Sequence, residues 1–167
     1  MNTENNQQNT YVYEKAKRIA ANMIGFKMYT CGEVEERLLR KNIDRETAER
    51  IVCEFAAAGV LDDRAYAEAY VEESVNLGGK GMYRIKQELI KKGVAKSIVE
   101  KVCEEFDGDS AYAALCEYVE ARRLWEGITT RKDLEKLKAR LARRGYSFSE
   151  IRRCLDQYEF SFDESYD

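Results

Sequence analysis

Apolar residues along the chain fall into three registers that superpose. With Ile43, Val94 and Tyr146 aligned, 51 and 52 residues apart, an apolar residue stands five places earlier in each register (Leu38, Leu89, Leu141). Others stand nine places earlier (Val34, Ile85, Leu137) and twelve places earlier (Cys31, Met82, Leu134). The agreement continues nine places downstream at Val52, Cys103 and Leu155, and twelve downstream at Phe55, Phe106 and Tyr158. These intervals trace one face of an α-helix on either side of a tight turn. Immediately before each anchor comes Asn42, Gly93 or Gly145, types that accept the left-handed conformation closing a helix. A basic pair precedes each: Arg40-Lys41, Lys91-Lys92 or Arg143-Arg144, matched to the negative end of a helix dipole. The pattern predicts an all-α chain of three tandem three-helix, helix-turn-helix-like repeats, elongated rather than globular.

Helix signals place the elements. The first repeat, residues 11–58, reads as helices over Tyr11–Met23, Gly32–Lys41 and Asp44–Ala58, the second opening on the capping box Thr30-Cys31-Gly32-Glu33. The second repeat, 59–108, has helices over Asp63–Asn76, Gly81–Lys92 and Lys96–Phe106. Here Asp62 is the expected N-cap, Leu61 is placed to staple onto Tyr66, and Tyr66, Ala69, Tyr70 and Ser74 recur at helical spacing. The third, 109–160, has helices over Ser110–Trp125, Arg131–Arg144 and Ser147–Phe160, the last opening on the box Ser147-Phe148-Ser149-Glu150. Residues 1–10 are polar and expected to be disordered; residues 161–167 form an acidic tail.

Composition agrees with the helical pattern. The 167 residues contain no proline and are 35% charged. No apolar run is long enough for a membrane span and no signal-peptide pattern opens the chain, so a cytoplasmic protein is expected. Histidine is absent, and the five cysteines (Cys31, Cys53, Cys103, Cys116, Cys154) lack metal-site spacing, which predicts small buried hydrophobes in a reducing compartment and no metal or other cofactor.

Charge is unevenly placed. Between Arg122 and Arg153 eleven basic residues meet four acidic ones, although the whole chain carries a net charge of −3. Such polarity suits a partner surface bearing both signs, or nucleic acid approached from one end. Arg131, Lys132, Lys136, Arg140, Arg143, Arg144, Arg152 and Arg153 are the candidate contacts there, with Trp125 and Tyr146 as aromatic candidates. A smaller cluster in the middle repeat adds Lys80, Arg84, Lys91 and Lys92, with Arg84 and Glu88 spaced for an intrahelical ion pair.

Other chemistries are poorly supported. Gly78-Gly79-Lys80-Gly81 is no phosphate loop, since the glycine spacing is wrong, no Ser or Thr follows the lysine and no strand precedes it; it reads as a corner between helices. Asp62-Asp63 is explained by capping. The third helices of the first two repeats are too acidic to read duplex DNA; only the last, with Arg152 and Arg153, suits it. Without histidine or a convergent acid–base group, an enzyme is not expected.

The ordered series Leu61-Asp62-Asp63 with Tyr66-Ala67, then Gly81, Arg84-Ile85, Glu88-Leu89 and Lys92-Gly93, then Arg143-Arg144-Gly145-Tyr146, resembles the RecX regulatory proteins from about Tyr13 to Tyr158. The resemblance implies a non-enzymatic bacterial regulator that binds RecA filaments on single-stranded DNA. It further implies inhibition of their ATPase, strand exchange and LexA cleavage by a monomer lying in the filament groove. Several members of that family are basic overall and this chain is not, which weakens the case for strong independent binding of single-stranded or duplex DNA. A free-standing DNA-binding protein acting through the basic third repeat is the alternative.

Overall fold

The computed structural model describes the backbone of residues 2–162 and the side chains of residues 10–162. Among the described residues the regular structure is entirely helical, in the order α1 (Asn2–Ile24), α2 (Cys31–Arg40), α3 (Arg45–Ala57), α4 (Asp63–Asn76), α5 (Met82–Lys91), α6 (Lys96–Glu105), α7 (Gly108–Ala121), α8 (Arg131–Arg143) and α9 (Phe148–Leu155). α1 starts at Asn2, where the sequence pattern led us to expect disorder as far as residue 10; no glycine or proline interrupts that polar stretch, so nothing local stops the helix. α7 ends at Ala121, short of the expected Trp125, because Arg123 (φ +49°) and Gly127 (φ +75°) turn the chain out of the helix. α9 closes at Leu155 rather than Phe160. Of the acidic tail, residues 163–167 lie outside the described residues.

Three caps are those the sequence announces, whereas α7 starts at Gly108 under Asp107 instead of at the expected Ser110. The Thr30 and Ser147 side chains accept hydrogen bonds from the backbone N–H groups of Glu33 and Glu150, whose carboxylates return to the cap N–H in two complete capping boxes. Asp62 accepts from Ala65 N at 2.9 Å. Leu61 joins the buried cluster of the first helices.

The registers five and nine places before each anchor are buried in the structure, whereas Cys31, Met82 and Leu134 are only half-buried, as are Ile43, Val52, Phe106 and Tyr158. Leu38, Leu89 and Leu141 are fully inaccessible, and Val34, Ile85 and Leu137 nearly so. Two further registers emerge after the turn: Ala48, Val99 and Ile151, and Ile51, Val102 and Cys154, all buried. On the first helix of each repeat the equivalent buried position holds Ala16, Ala67 and Val119. α4 therefore buries Ala67, Val71, Ser74 and Val75; of the face expected from Tyr66, Ala69, Tyr70 and Ser74, Ser74 is buried and the others lie out of phase with the buried positions. Tyr66 and Tyr70 are only half-buried and keep their hydroxyls at the edge of that face.

The chain divides into two compact units, Met1–Ala67 with Ile90–Val99, and Glu68–Leu89 with Glu100–Asp167. The first contains the core of α1–α3, built on Val34, Leu38, Ile51 and Phe55; the second contains that of α7–α9, built on Leu115, Leu141, Ile151 and Leu155.

Each unit contains the same kind of joint, in which the carbonyl end of one helix meets the N–H end of another. In the first, the Thr30 hydroxyl donates to the Lys92 carbonyl beyond α5, and Gly32 lies against Gly93: a methyl at residue 93 would stand 2.7 Å from Gly32 Cα. In the second, the carbonyls beyond α8 accept from the start of α5, Gly81 N to Arg144 O at 2.8 Å and Tyr83 N to Gly145 O at 3.2 Å. Both joints satisfy helix-terminal groups that have no intrahelical partner, and the dipoles meet with opposite signs. Gly93 (φ +83°) and Gly145 (φ +93°) are left-handed, so only glycine combines that turn with so close an approach. In the first repeat Asn42 fills the equivalent place at φ +60°, exposed to solvent.

Gly81→Ala places a methyl on the Gly145 backbone and should cost about 3 kcal/mol. Gly108→Ala, at a helix start with nothing nearby, should instead stabilise by about 0.5 kcal/mol. Urea-unfolding midpoints of the two variants, moving in opposite directions, check this.

Candidate interaction surface

α8 supplies the strongest surface. Its N-cap Thr130 accepts from Asp133 N, and Leu137 and Leu141 anchor one side in the core. On the opposite side Lys132, Lys136, Arg140 and Arg143 fall within an arc of about 80°. All four are exposed. Lys136 pairs with Asp133 at 3.0 Å, whereas Lys132, Arg140 and Arg143 have no ion-pair partner among the described residues. Arg131 is exposed at the helix start. On α9, Arg152 lies 3.8 Å from Asp156 and Arg153 stacks 4.0 Å over the Tyr112 ring, so both are partly engaged.

The middle-repeat candidates divide. Lys80 and Arg84 both converge on Glu88, at 2.7 and 2.9 Å, with the Tyr70 hydroxyl donating to the same carboxylate at 2.6 Å. The expected Arg84–Glu88 pair is thus one arm of a larger network. The joint between α5 and the turn beyond α8 sets Arg84 directly against Gly145, bringing this network beside Arg143 and Arg144. Lys91 is exposed with no ion-pair partner among the described residues.

Two of the candidates serve the joints. Lys92 pairs with Glu33 at 2.9 Å and lies 5.6 Å over the Tyr66 ring. Arg144 donates to the Gly79 carbonyl at 2.7 Å and lies 4.9 Å over the Tyr118 ring. Tyr66 and Tyr118 occupy the same register, 28 residues before Val94 and Tyr146, where the first repeat has Lys15. This recurring tyrosine–cation clamp was visible in the sequence only as two unrelated features, a basic pair and a helical tyrosine. Glu33, seen there as a cap alone, is its third member.

The aromatic candidates are also engaged inside the fold. Tyr146 is 7% exposed, and burial raises its hydroxyl to about 12, so it offers no free ring to a partner. Trp125 stacks on Tyr158 at 5.5 Å and donates to Glu120 at 3.1 Å. The cysteines are free thiols; Cys103 and Cys154 are buried as expected, but Cys53 is exposed. Burial raises the Cys154 thiol to about 12, which disfavours the reactive thiolate. Among the described residues no group of three acidic, cysteine or histidine side chains could hold a metal, and no helix is long and apolar enough to cross a membrane.

This arrangement can bind an anionic surface through charge and hydrogen bonding, with the tandem helices as its frame. Family models of the RecX first and second three-helix domains match residues 16–55 and 62–102, the spans carrying α1–α3 and α4–α6. The chain carries the first and second three-helix domains of the RecX family. Relatives named regulatory protein RecX include those of Lactococcus lactis subsp. cremoris strain SK11, 29% identical over 157 residues, and Streptococcus thermophilus strain LMD-9, 28% identical over 153. Each comparison covers 91% of this chain but 58% of the relative, so the chain spans little more than half the length of these curated RecX proteins. The crystal structure of RecX from Lactobacillus salivarius shares the fold, with a TM-score of 0.75 and 24% identity over 89% of this chain and 97% of that one. A second RecX crystal structure gives a TM-score of 0.77 at 21% identity, over 88% of this chain and 72% of that one.

The Glu88 network yields a pH dependence. Burial alone would raise this carboxyl, but hydrogen bonds from Lys80, Tyr70 and Arg84 outweigh it and hold the group at about 2, below its ordinary 4.5. Its contribution to stability is therefore complete above about pH 4.5 and lost as pH falls toward 2. Glu88→Gln should destabilise at pH 7 by about 2 kcal/mol and flatten the stability profile between those limits, as urea titrations at several pH values would show.

Proposed function

We propose that this chain regulates the RecA recombinase. As a monomer it binds RecA filaments on single-stranded DNA and lowers their ATPase, strand-exchange and LexA-cleavage activities. The two matched RecX domains support the regulatory part, and the family resemblance suggests RecA as the target. The observation that carries the contact is the α8 stripe: Lys132, Arg140 and Arg143 are exposed on one helix and form no ion pair among the described residues. Elsewhere, many charged residues are already paired, as at Glu88, Glu33 and Glu54. Unneutralised cations on a regular element cost no rearrangement to present and attract a nucleoprotein filament through its phosphates and acidic side chains.

Purified protein should lower ATP hydrolysis by RecA on single-stranded DNA. The combined reversal Lys132→Glu, Lys136→Glu, Arg140→Glu should weaken this inhibition by at least about tenfold without altering the helical circular-dichroism spectrum. Full inhibition by that variant would overturn the assignment of α8. Tight, salt-sensitive binding to duplex DNA without RecA would favour the free-standing DNA-binding alternative.

A further inference from the structure

A groove of about 840 Å³ runs between α8 and α9, within the usual size range of a ligand cleft. Ala139 and Ala142 from α8 face Ile151 and Leu155 from α9 across it, so its floor is aliphatic and shallow. Phe148 stands on its wall, 79% exposed. Here the exposed ring adjoins further apolar surface, Ala139, Ala142, Ile151 and Leu155, and so forms part of a patch.

The charges on the rim indicate what fits. Lys138 pairs with Glu135 at 2.8 Å, and Arg152 faces Asp156, so these cancel within the rim. Arg143 is left without an acidic partner among the described residues. It also borders the α8 stripe, so groove and stripe are one continuous surface, apolar on one side and cationic on the other. We propose that this surface receives an amphipathic helix of a protein partner, its aliphatic side chains in the groove and its acidic side chains on Arg143, Arg140 and Lys132. α8 has 13 residues, a length that accommodates about three turns of such a helix. Single-stranded nucleic acid fits less well: of the three rings lining the groove, Tyr158 is stacked on Trp125 and Phe160 packs against Tyr158, which leaves Phe148 as the exposed ring face beside Ala, Ile and Leu.

The inference rests on the regulatory reading for the partner's identity and stands apart from it for the chemistry of the groove, so the test has two arms. In the first, a fluorescent helical peptide of about fourteen residues, with Leu on one face and Glu on the other, is titrated with the full chain, alongside a twin with Lys for Glu and a poly-dT oligonucleotide. The acidic peptide should bind at least about tenfold more tightly than its twin, and Ala139→Trp or Arg143→Glu should each remove about tenfold in affinity. Equal affinity for the two peptides, no effect of either variant, or poly-dT displacing the peptide from the groove would overturn the proposal. So would self-association of the wild type that Ala139→Trp abolishes, because the occupant would then be a second copy. In the second arm, co-sedimentation with RecA filaments should be about tenfold weaker for Ala139→Trp than for wild type. Equal sedimentation of both removes the groove from that complex, whereas failure of the wild type to sediment overturns the RecA reading and leaves the peptide arm to decide the groove. Ala139 is exposed, and Ala139→Ser serves as the folded control that should bind as wild type in both arms.

Discussion

The close approach of helix ends at Gly93 and Gly145 is the constraint on which much of the rest depends. A helix leaves its last carbonyls and its first N–H groups without partners, and burying either is costly unless they find each other. Here they do: Arg144 and Gly145 carbonyls take the N–H groups that open α5, and the Lys92 carbonyl takes the hydroxyl that caps α2. The geometry demands a left-handed residue with no side chain on one partner and a glycine on the other. The cation one place earlier then finds an aromatic face at fixed height, which is why Lys92 meets Tyr66 and Arg144 meets Tyr118. One backbone requirement thus fixes four side chains.

Neutralisation governs the surface. The chain is highly charged, and several of its acids each gather more than one partner. Glu88 gathers Lys80, Arg84 and Tyr70; Glu54 gathers Lys17 and Tyr13; Glu33 answers both Thr30 and Lys92. Against this background the exposed face of α8 stands out, because helix periodicity sends its cations outward together while the acids of the same helix, Glu135 and Asp133, are held by Lys138 and Lys136. The local excess of positive charge is therefore presented by a few residues rather than spread over the whole segment. Exposed charge of this kind is screened by salt, so its influence is greatest at short range and low ionic strength.

Much of this was legible in the sequence, for reasons that differ by residue. Leu38, Leu89 and Leu141 announced themselves because burial on a helix imposes a period, and Thr30 and Ser147 because capping boxes are local. α4 misled because its tyrosines look like core but keep a polar tip at the edge. The end of α7 was missed because Arg123 adopts a left-handed conformation that its identity does not advertise. Of the candidate surface, the sequence announced which cations lie on exposed helix faces and not which of them are engaged inside the fold. Lys92, Arg144 and Tyr146 were indistinguishable from contact residues until their partners, 59 to 65 residues away for the two cations, were seen. Sequence patterning reports which side of a helix is wet; it does not report which wet cations already have company across the chain.

Within each joint the face that offers a helix start differs from the face that offers a glycine turn. Such an interface is not self-complementary, and each copy leaves the opposite half for another. A further module of about fifty residues, bearing a glycine turn at one end and a small residue at the other, could be spliced into the series without inventing any new kind of surface. Duplication is thereby an inexpensive evolutionary step for this architecture, and the asparagine at residue 42 marks a turn relieved of the steric demand that holds its two counterparts to glycine.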